Sequence, residues 1–287
     1  MIQRLRWPLA LLSFVVLCGI GLAGYRYQQR EPAQTLLPAP AVVHAVVGTS
    51  VEGRFIDAYT YGTGARRFLF VGGVHGGYEW NSTLLAYRFM DYLASQPGTI
   101  ASGTAIMVIP SANPDGLYKV VGTTGRFAAA NVTASAAVQA EGRFNANEVD
   151  LNRNFNCKWQ PRATWRSAEV SAGQAPFSEP EARAIRTVVL AWRPTMVVFW
   201  HSQANAVYAS ECKGGILAAT RAGMTAYAQA AGYPAVDTFD AYAVTGDAEG
   251  WLASIGVPAI TVELSSHEGV DWDKNLAGVK ALLGLPW

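Results

Sequence analysis

Pro258-Ala-Ile-Thr-Val-Glu263-Leu264 is a short apolar run with a carboxylate set near its end. A run of that length between turn residues reads as a buried strand. An ionised carboxylate there is costly to keep unless a cation or a reaction needs it. Three similar runs precede it, Phe68–Gly72, Ala105–Ile109 and Met196–Trp200, and Ala259–Leu264 is the fourth strand of the set. Helical segments fall between them. Asn81 is placed to cap a helix through about Ala94, with Leu84, Leu85, Phe89, Met90 and Leu93 turned inward. Ser178-Glu-Pro-Glu181 reads as a capping box opening a helix through about Ala191. Gly214–Ala231 and Trp272–Leu283 read as two further helices. Strands alternating with helices point to a layered α/β domain.

The strand ends also collect chemistry. His75 and Glu79 lie in Val74-His75-Gly-Gly-Tyr-Glu79, and His201 lies in Val198-Phe-Trp-His201-Ser. Two histidines and one carboxylate are a zinc ligand set that leaves a fourth position for water. His75, His201 and Glu263 each follow an apolar strand closely, where sites of open α/β sheets gather. Two other histidines exist, His44 in the membrane-proximal segment and His267, which is the reserve ligand should Glu79 not serve.

The chain has 287 residues, 51% hydrophobic and 15% charged, with a formal net charge of +1. That is enough for one sizeable core and one catalytic domain. Near-neutral charge without basic clusters leaves no electrostatic footprint for a nucleic-acid partner. Trp7–Gly24 carries no charge between Arg4-Leu-Arg6 and Arg26. As a helix it would reach roughly 27 Å, about a bilayer core. Residues 1–30 therefore read as a membrane anchor or a signal peptide, 31–44 as a proline-bearing linker, and 45–287 as the catalytic domain. The expected location is the cell envelope, either membrane-anchored or periplasmic or extracellular. In an oxidising compartment Cys157 and Cys212 can bridge, tying together two segments near the candidate site; two unpaired buried thiols are the alternative.

Three more motifs complete a pattern: Pro110-Ser-Ala-Asn113-Pro114-Asp115-Gly116, Val149-Asp150-Leu151-Asn152-Arg153-Asn154-Phe155 and Thr261-Val-Glu263-Leu264. In order and spacing the chain from about Phe68 onward resembles the zinc metallocarboxypeptidases, the carboxypeptidase A/B-like peptidases. The resemblance implies a three-layer α/β/α domain with a mixed sheet of about eight strands and one zinc ion per chain. It implies His75, Glu79 and His201 as metal ligands and Glu263 as the general base. The family places its glutamate one position nearer the histidine than Glu79 is, a difference that a wider turn at Gly76-Gly77 would absorb.

The same resemblance gives the other roles. Arg143 would hold the oxyanion, with Arg126 as a rival. Asn152 and Arg153 would bind the terminal carboxylate, for which a bidentate guanidinium is suited. Tyr242 would close over that terminus. Glu249 would stand where the accepted side chain is chosen, an acid there favouring a basic or amino-bearing residue. Asp115 reads both as a turn residue and as a hydrogen-bond partner of the first zinc histidine. The implied substrate is a peptide or a cell-wall stem peptide, with the membrane met through the N-terminal segment. A related zinc deacylase acting on N-acyl amino acids and a non-catalytic envelope-binding module are the other readings.

Overall fold

The computed structural model describes residues 42–287, so the N-terminal apolar run lies outside the described residues. Twelve strands are seen. They are β1 (Val43–Thr49), β2 (Phe55–Gly62), β3 (Arg66–Val71), β4 (Thr104–Ile109), β5 (Arg162–Trp165) and β6 (Ala168–Ser171). Then come β7 (Met196–Ser202), β8 (Ala206–Ala209), β9 (Glu211–Cys212), β10 (Gly215–Ile216), β11 (Ala235–Val236) and β12 (Ala259–Leu264). The helices are α1 (Trp80–Ser95), α2 (Pro114–Val121), α3 (Ala136–Glu141), α4 (Pro180–Trp192), α5 (Ala218–Ala231), α6 (Ala248–Ser254) and α7 (Trp272–Leu283).

Eight strands form one mixed sheet in the order β1-β2-β4-β3-β7-β12-β8-β11. Its centre, β4-β3-β7-β12, is parallel, and β12 meets β8 antiparallel. Strands buried on both faces read as continuous apolar runs, which is why β3, β4, β7 and β12 are visible in the sequence. Successive side chains of a strand alternate between faces. Met196, Val198 and Trp200 of β7 and Ile260, Val262 and Leu264 of β12 therefore join Leu85, Phe89, Met224, Tyr227 and Leu282 of α1, α5 and α7 on one face. Val197 and Phe199, with Ala259, face Ile185, Val188, Trp251 and Leu252 of α4 and α6. His201 and Glu263 fall in the second register, on the α4/α6 side.

Several local expectations are corrected. Asn81 is inside α1 rather than at its cap, and its amide donates to the carbonyls of Ser266 and Gly269, both at 2.7 Å. The capping box at Ser178 does not form. Ser178 Oγ donates to Glu179 Oε1, while Asn145 and Asn147 donate to Glu179 Oε2, so these side chains are spent on a tertiary contact. Pro180 opens α4, a position where its missing N–H costs nothing. Residues 214–217 are not helical: β9 and β10 form a small hairpin and α5 begins at Ala218. The periodicity also missed the β5–β6 hairpin and the outer strands β1, β2, β8 and β11. Among the described residues, no helix is long and apolar enough to cross a membrane.

Candidate active site

β3 runs into Gly72-Gly73-Val74-His75, and a single turn of 3₁₀ helix, Gly76–Glu79, then leads into α1. Gly76 has φ +45, and a Cβ there would meet the Gly142 carbonyl oxygen at 2.5 Å, so only glycine allows this approach. The turn brings His75 and Glu79 onto one center despite the extra residue between them. His75 Nδ1 lies 2.8 Å from Glu79 Oε1. At the end of β7, His201 Nδ1 lies 2.9 Å from Glu79 Oε2 and 3.2 Å from His75 Nδ1.

All three side chains are buried, and their donor atoms lie within 4.8 Å of one another, the only such group among the described residues. Two ring nitrogens about 2.0–2.1 Å from a tetrahedral zinc lie roughly 3.3 Å apart. The observed nitrogen separation of 3.2 Å and the mixed nitrogen and oxygen donors fit that ion. Burial opposes the Glu79 charge, but the two histidines outweigh it and hold the carboxyl well below the usual range.

Each histidine is backed by a second carboxylate. His75 Nε2 faces Asp150 Oδ1 at 3.4 Å, and His201 Nε2 faces Glu249 Oε1 at 3.3 Å. Such partners fix the ring orientation of a ligand histidine. Asp115 does not contact His75. It sits in the first turn of α2 and accepts from Ser50 Oγ at 2.6 Å and the Glu52 amide at 3.0 Å. Asp150, within the quoted Val149–Phe155 motif, has the position beside the first histidine instead.

Glu263 pairs in register with His201 on adjacent parallel strands, which turns both side chains to the same face. Its Oε2 accepts from the Ala204 amide at 3.2 Å. Burial, then the nearby Glu79 charge, push its carboxyl up to about 7. Arg143 is buried, with Nε and Nη2 on Asp150 Oδ2 at 2.9 and 2.8 Å and Nη1 3.8 Å from Glu79. Its guanidinium lies 4.5 Å from the center of the Trp165 ring. Burial disfavours the Asp150 charge, but Arg143, then Arg153, hold it well below the carboxylate range. Arg126 is elsewhere, forked onto Asp91 of α1 at 2.8 and 3.0 Å on an exposed surface.

A cavity of about 610 Å³ joins these groups to Tyr78, Asn152, Arg153, Tyr242, Asp247 and Glu249. Arg153 donates to the carbonyls of Thr164 and Asn152, and Asn152 Oδ1 accepts from the Ala248 amide at 2.8 Å. Glu249 lines the cavity, but its Oε1 also accepts from Thr261 Oγ1 at 3.0 Å. Tyr242 packs on Phe239 at the cavity wall, with ring centers 4.8 Å apart. His267 is not among the ligand atoms: its Nδ1 lies 2.8 Å from Ser202 Oγ. Cys157 and Cys212 form a disulfide joining the segment after Arg153 to β9, with Cα atoms 6.1 Å apart.

The model of the family described as zinc carboxypeptidase matches residues 34–270. The chain is a zinc carboxypeptidase family member. Two relatives of this member are Gamma-D-glutamyl-L-diamino acid endopeptidase 1 of Lysinibacillus sphaericus and Carboxypeptidase B of Astacus astacus. The first is 26% identical over 183 residues, 56% of this chain and 46% of that protein. The second is 28% identical over 161 residues, 53% of this chain and 51% of that protein. The matched stretches thus span about half the length of these curated relatives.

Among solved structures, murein-tripeptide amidase MpaA from Escherichia coli O157 aligns with a TM-score of 0.61 at 22% identity, over 90% of this chain and 98% of that one. Bovine thrombin-activatable fibrinolysis inhibitor, solved with tick carboxypeptidase inhibitor, aligns at 0.65 and 17%, over 93% and 92%. These likenesses bear on the fold. They agree with the mixed eight-stranded sheet found here, and His75, Glu79 and His201 form a group that could hold a metal ion in a chain whose family is described as zinc carboxypeptidase.

Proposed function

We propose that this zinc carboxypeptidase family member hydrolyses the peptide or amide bond next to a residue that bears a free carboxylate. The observation that carries the reading is the register of Glu263 against His201, which sets a carboxylate beside the buried His75-Glu79-His201 group. When bound there, zinc supplies Lewis acidity, polarising a carbonyl and making water more acidic. Glu263 takes the proton of the attacking water and returns it to the departing amine. A carboxyl whose charge is disfavoured by burial is suited to take up and give back a proton. Arg143, fixed by Asp150, presents its remaining donors to the oxygen that gains charge. Asn152 and Arg153 read the terminal carboxylate, and Tyr242 closes over it.

Glu249 and Asp247 lend the same cavity an acidic floor. That supports a substrate whose terminal residue carries an amino group, and it favours a second reading: an amidase acting on cell-wall stem peptides at a diamino acid. The activities named for the Lysinibacillus endopeptidase and the murein-tripeptide amidase point the same way. A deacylase of N-acyl amino acids is less well supported, because the cavity is lined by Asn152 and Arg153, an amide and a guanidinium suited to a terminal carboxylate. The disulfide and the apolar Trp7–Gly24 run support work outside the cytoplasm, in the cell envelope.

A panel of peptides varied at the C-terminus, assayed with and without a chelator, tests the reading. Metal-dependent release of single C-terminal residues, fastest for lysine-like or diamino residues, is expected. Cleavage that survives chelation, or that ignores blocking of the terminal carboxylate, contradicts it.

A further inference from the structure

Three successive residues of the β5–β6 hairpin each hold a different part of the cavity wall. The Thr164 carbonyl accepts from Arg153 Nε and Nη2 at 3.2 and 3.1 Å. The Trp165 ring carries the guanidinium of Arg143 and meets Tyr78 edge-on at 5.1 Å. Arg166 then donates from Nη2 to Tyr78 Oη at 3.0 Å. All three arginines thereby border the same cavity, each in contact with or part of this hairpin.

Their commitments differ. Arg143 is held by Asp150, Arg153 by two backbone carbonyls, and the nearby Lys158 lies 3.6 Å from Glu211. Arg166 faces the same cavity, yet among the described residues its guanidinium has a tyrosine hydroxyl and no carboxylate. Its backbone has φ +56, in a turn where glycine or asparagine is the usual occupant.

With a terminal carboxylate at Asn152 and Arg153 and the reacting carbonyl at Arg143, the acyl part of a substrate runs on toward Tyr78 and Arg166. We infer that Arg166 anchors a carboxylate on the acyl side of the scissile bond, so that the preferred substrate is anionic on both sides of that bond. This rests on the hydrolase reading above. Two groups supply the required chemistry: the free α-carboxylate of a γ-linked glutamyl residue, and the side chain of an α-linked acidic residue.

The experiment compares kcat/KM for four peptides sharing one C-terminal residue. Their acyl residues are γ-linked D-glutamate, the same residue with its α-carboxylate as a carboxamide, α-linked glutamate and α-linked glutamine. The wild-type protein should favour the carboxylate over its carboxamide by about tenfold in one pair, as a charge-assisted contact at a half-open site would give. The pair that shows the preference identifies the source. Arg166→Gln should collapse that ratio to within about twofold, Arg166→Lys should retain part of it, and raising salt should narrow it. A wild-type ratio near one in both pairs overturns the inference, as does an Arg166→Gln variant that lowers both members of a pair equally. The carboxamide peptides report the reaction itself: cleavage of none of the four sinks the hydrolase reading and the subsite with it, whereas their cleavage without a carboxylate preference sinks the subsite alone.

Discussion

His201 and Glu263 stand opposite each other on two adjacent parallel strands, β7 and β12, paired residue for residue. In that register a ligand nitrogen and a carboxylate leave the sheet on the same face, with no loop needed to bring them together. The rest of the site is hung on this pair: the glycine-rich turn delivers His75 and Glu79, and the Val149–Phe155 motif delivers Asp150, Asn152 and Arg153.

Arg153→Ala should lower kcat/KM for peptides with a free terminal carboxylate by roughly ten- to a hundredfold, and for their amides far less. Steady-state kinetics on matched acid and amide peptides checks this. Equal losses on both would mean that Arg153 only pins Thr164 and the hairpin.

Glu249→Gln should weaken zinc retention by about ten- to a hundredfold, because Glu249 orients His201 through Nε2. Competition with a metal indicator measures it. Burial opposes the charge on His201, and Glu79 and Glu249 together raise its pKa well above the ordinary value, so loss of Glu249 should also ease proton loss from that ring. Unchanged metal affinity would leave Glu249 a substrate contact alone.

Burial, then the charge of Glu249, push Asp247 up to about 6. An acid whose folded pKa is raised binds its proton more tightly in the folded state. Stability therefore falls as pH rises from the unfolded value of about 3.9 toward about 6 and stays lower above it. Asp247→Asn, which keeps a cap for the Gly250 amide, should flatten that fall and stabilise the domain at pH 7.5 by on the order of 1 to 2 kcal/mol. Thermal melts of both proteins at pH 4 and pH 7.5 check it; a parallel loss in the two would contradict the shift.

Much of this was legible in the sequence, for identifiable reasons. β3, β4, β7 and β12 are largely buried, so each carries a short apolar run, and the carboxylate of Glu263 stands out near the end of the last one. β1 is exposed along most of its length, and β9–β11 are two residues long, so neither alternation nor a sustained run marks them. Asn81 and Ser178 look like caps because their side chains suit caps; Asn81 instead donates to the Ser266 and Gly269 carbonyls, and Ser178 Oγ accepts from Asn154 and donates to its neighbour Glu179. His75 and His201 were candidate ligands by residue type and strand position and Glu79 by its spacing from His75, and the folded chain brings the three together. Asp150 could not be told from Asp115 that way, since both are acids in turns, and only the folded chain shows which one reaches His75. Arg166 carried no signal at all, because its role depends on a hairpin that the periodicity did not reveal.

The reading proposed above requires that His75, Glu79 and His201 share one zinc ion, with Glu263 poised beside it. Elemental analysis of purified protein, paired with peptide turnover, tests it most directly on the wild type, Glu263→Gln and a His75→Ala/His201→Ala double variant. The expected result is about one zinc per chain in the wild type and in Glu263→Gln, with turnover lower by roughly three orders of magnitude or more in the latter, and no retained zinc in the double variant. Zinc held equally by the double variant, or near-normal turnover by Glu263→Gln, would contradict it.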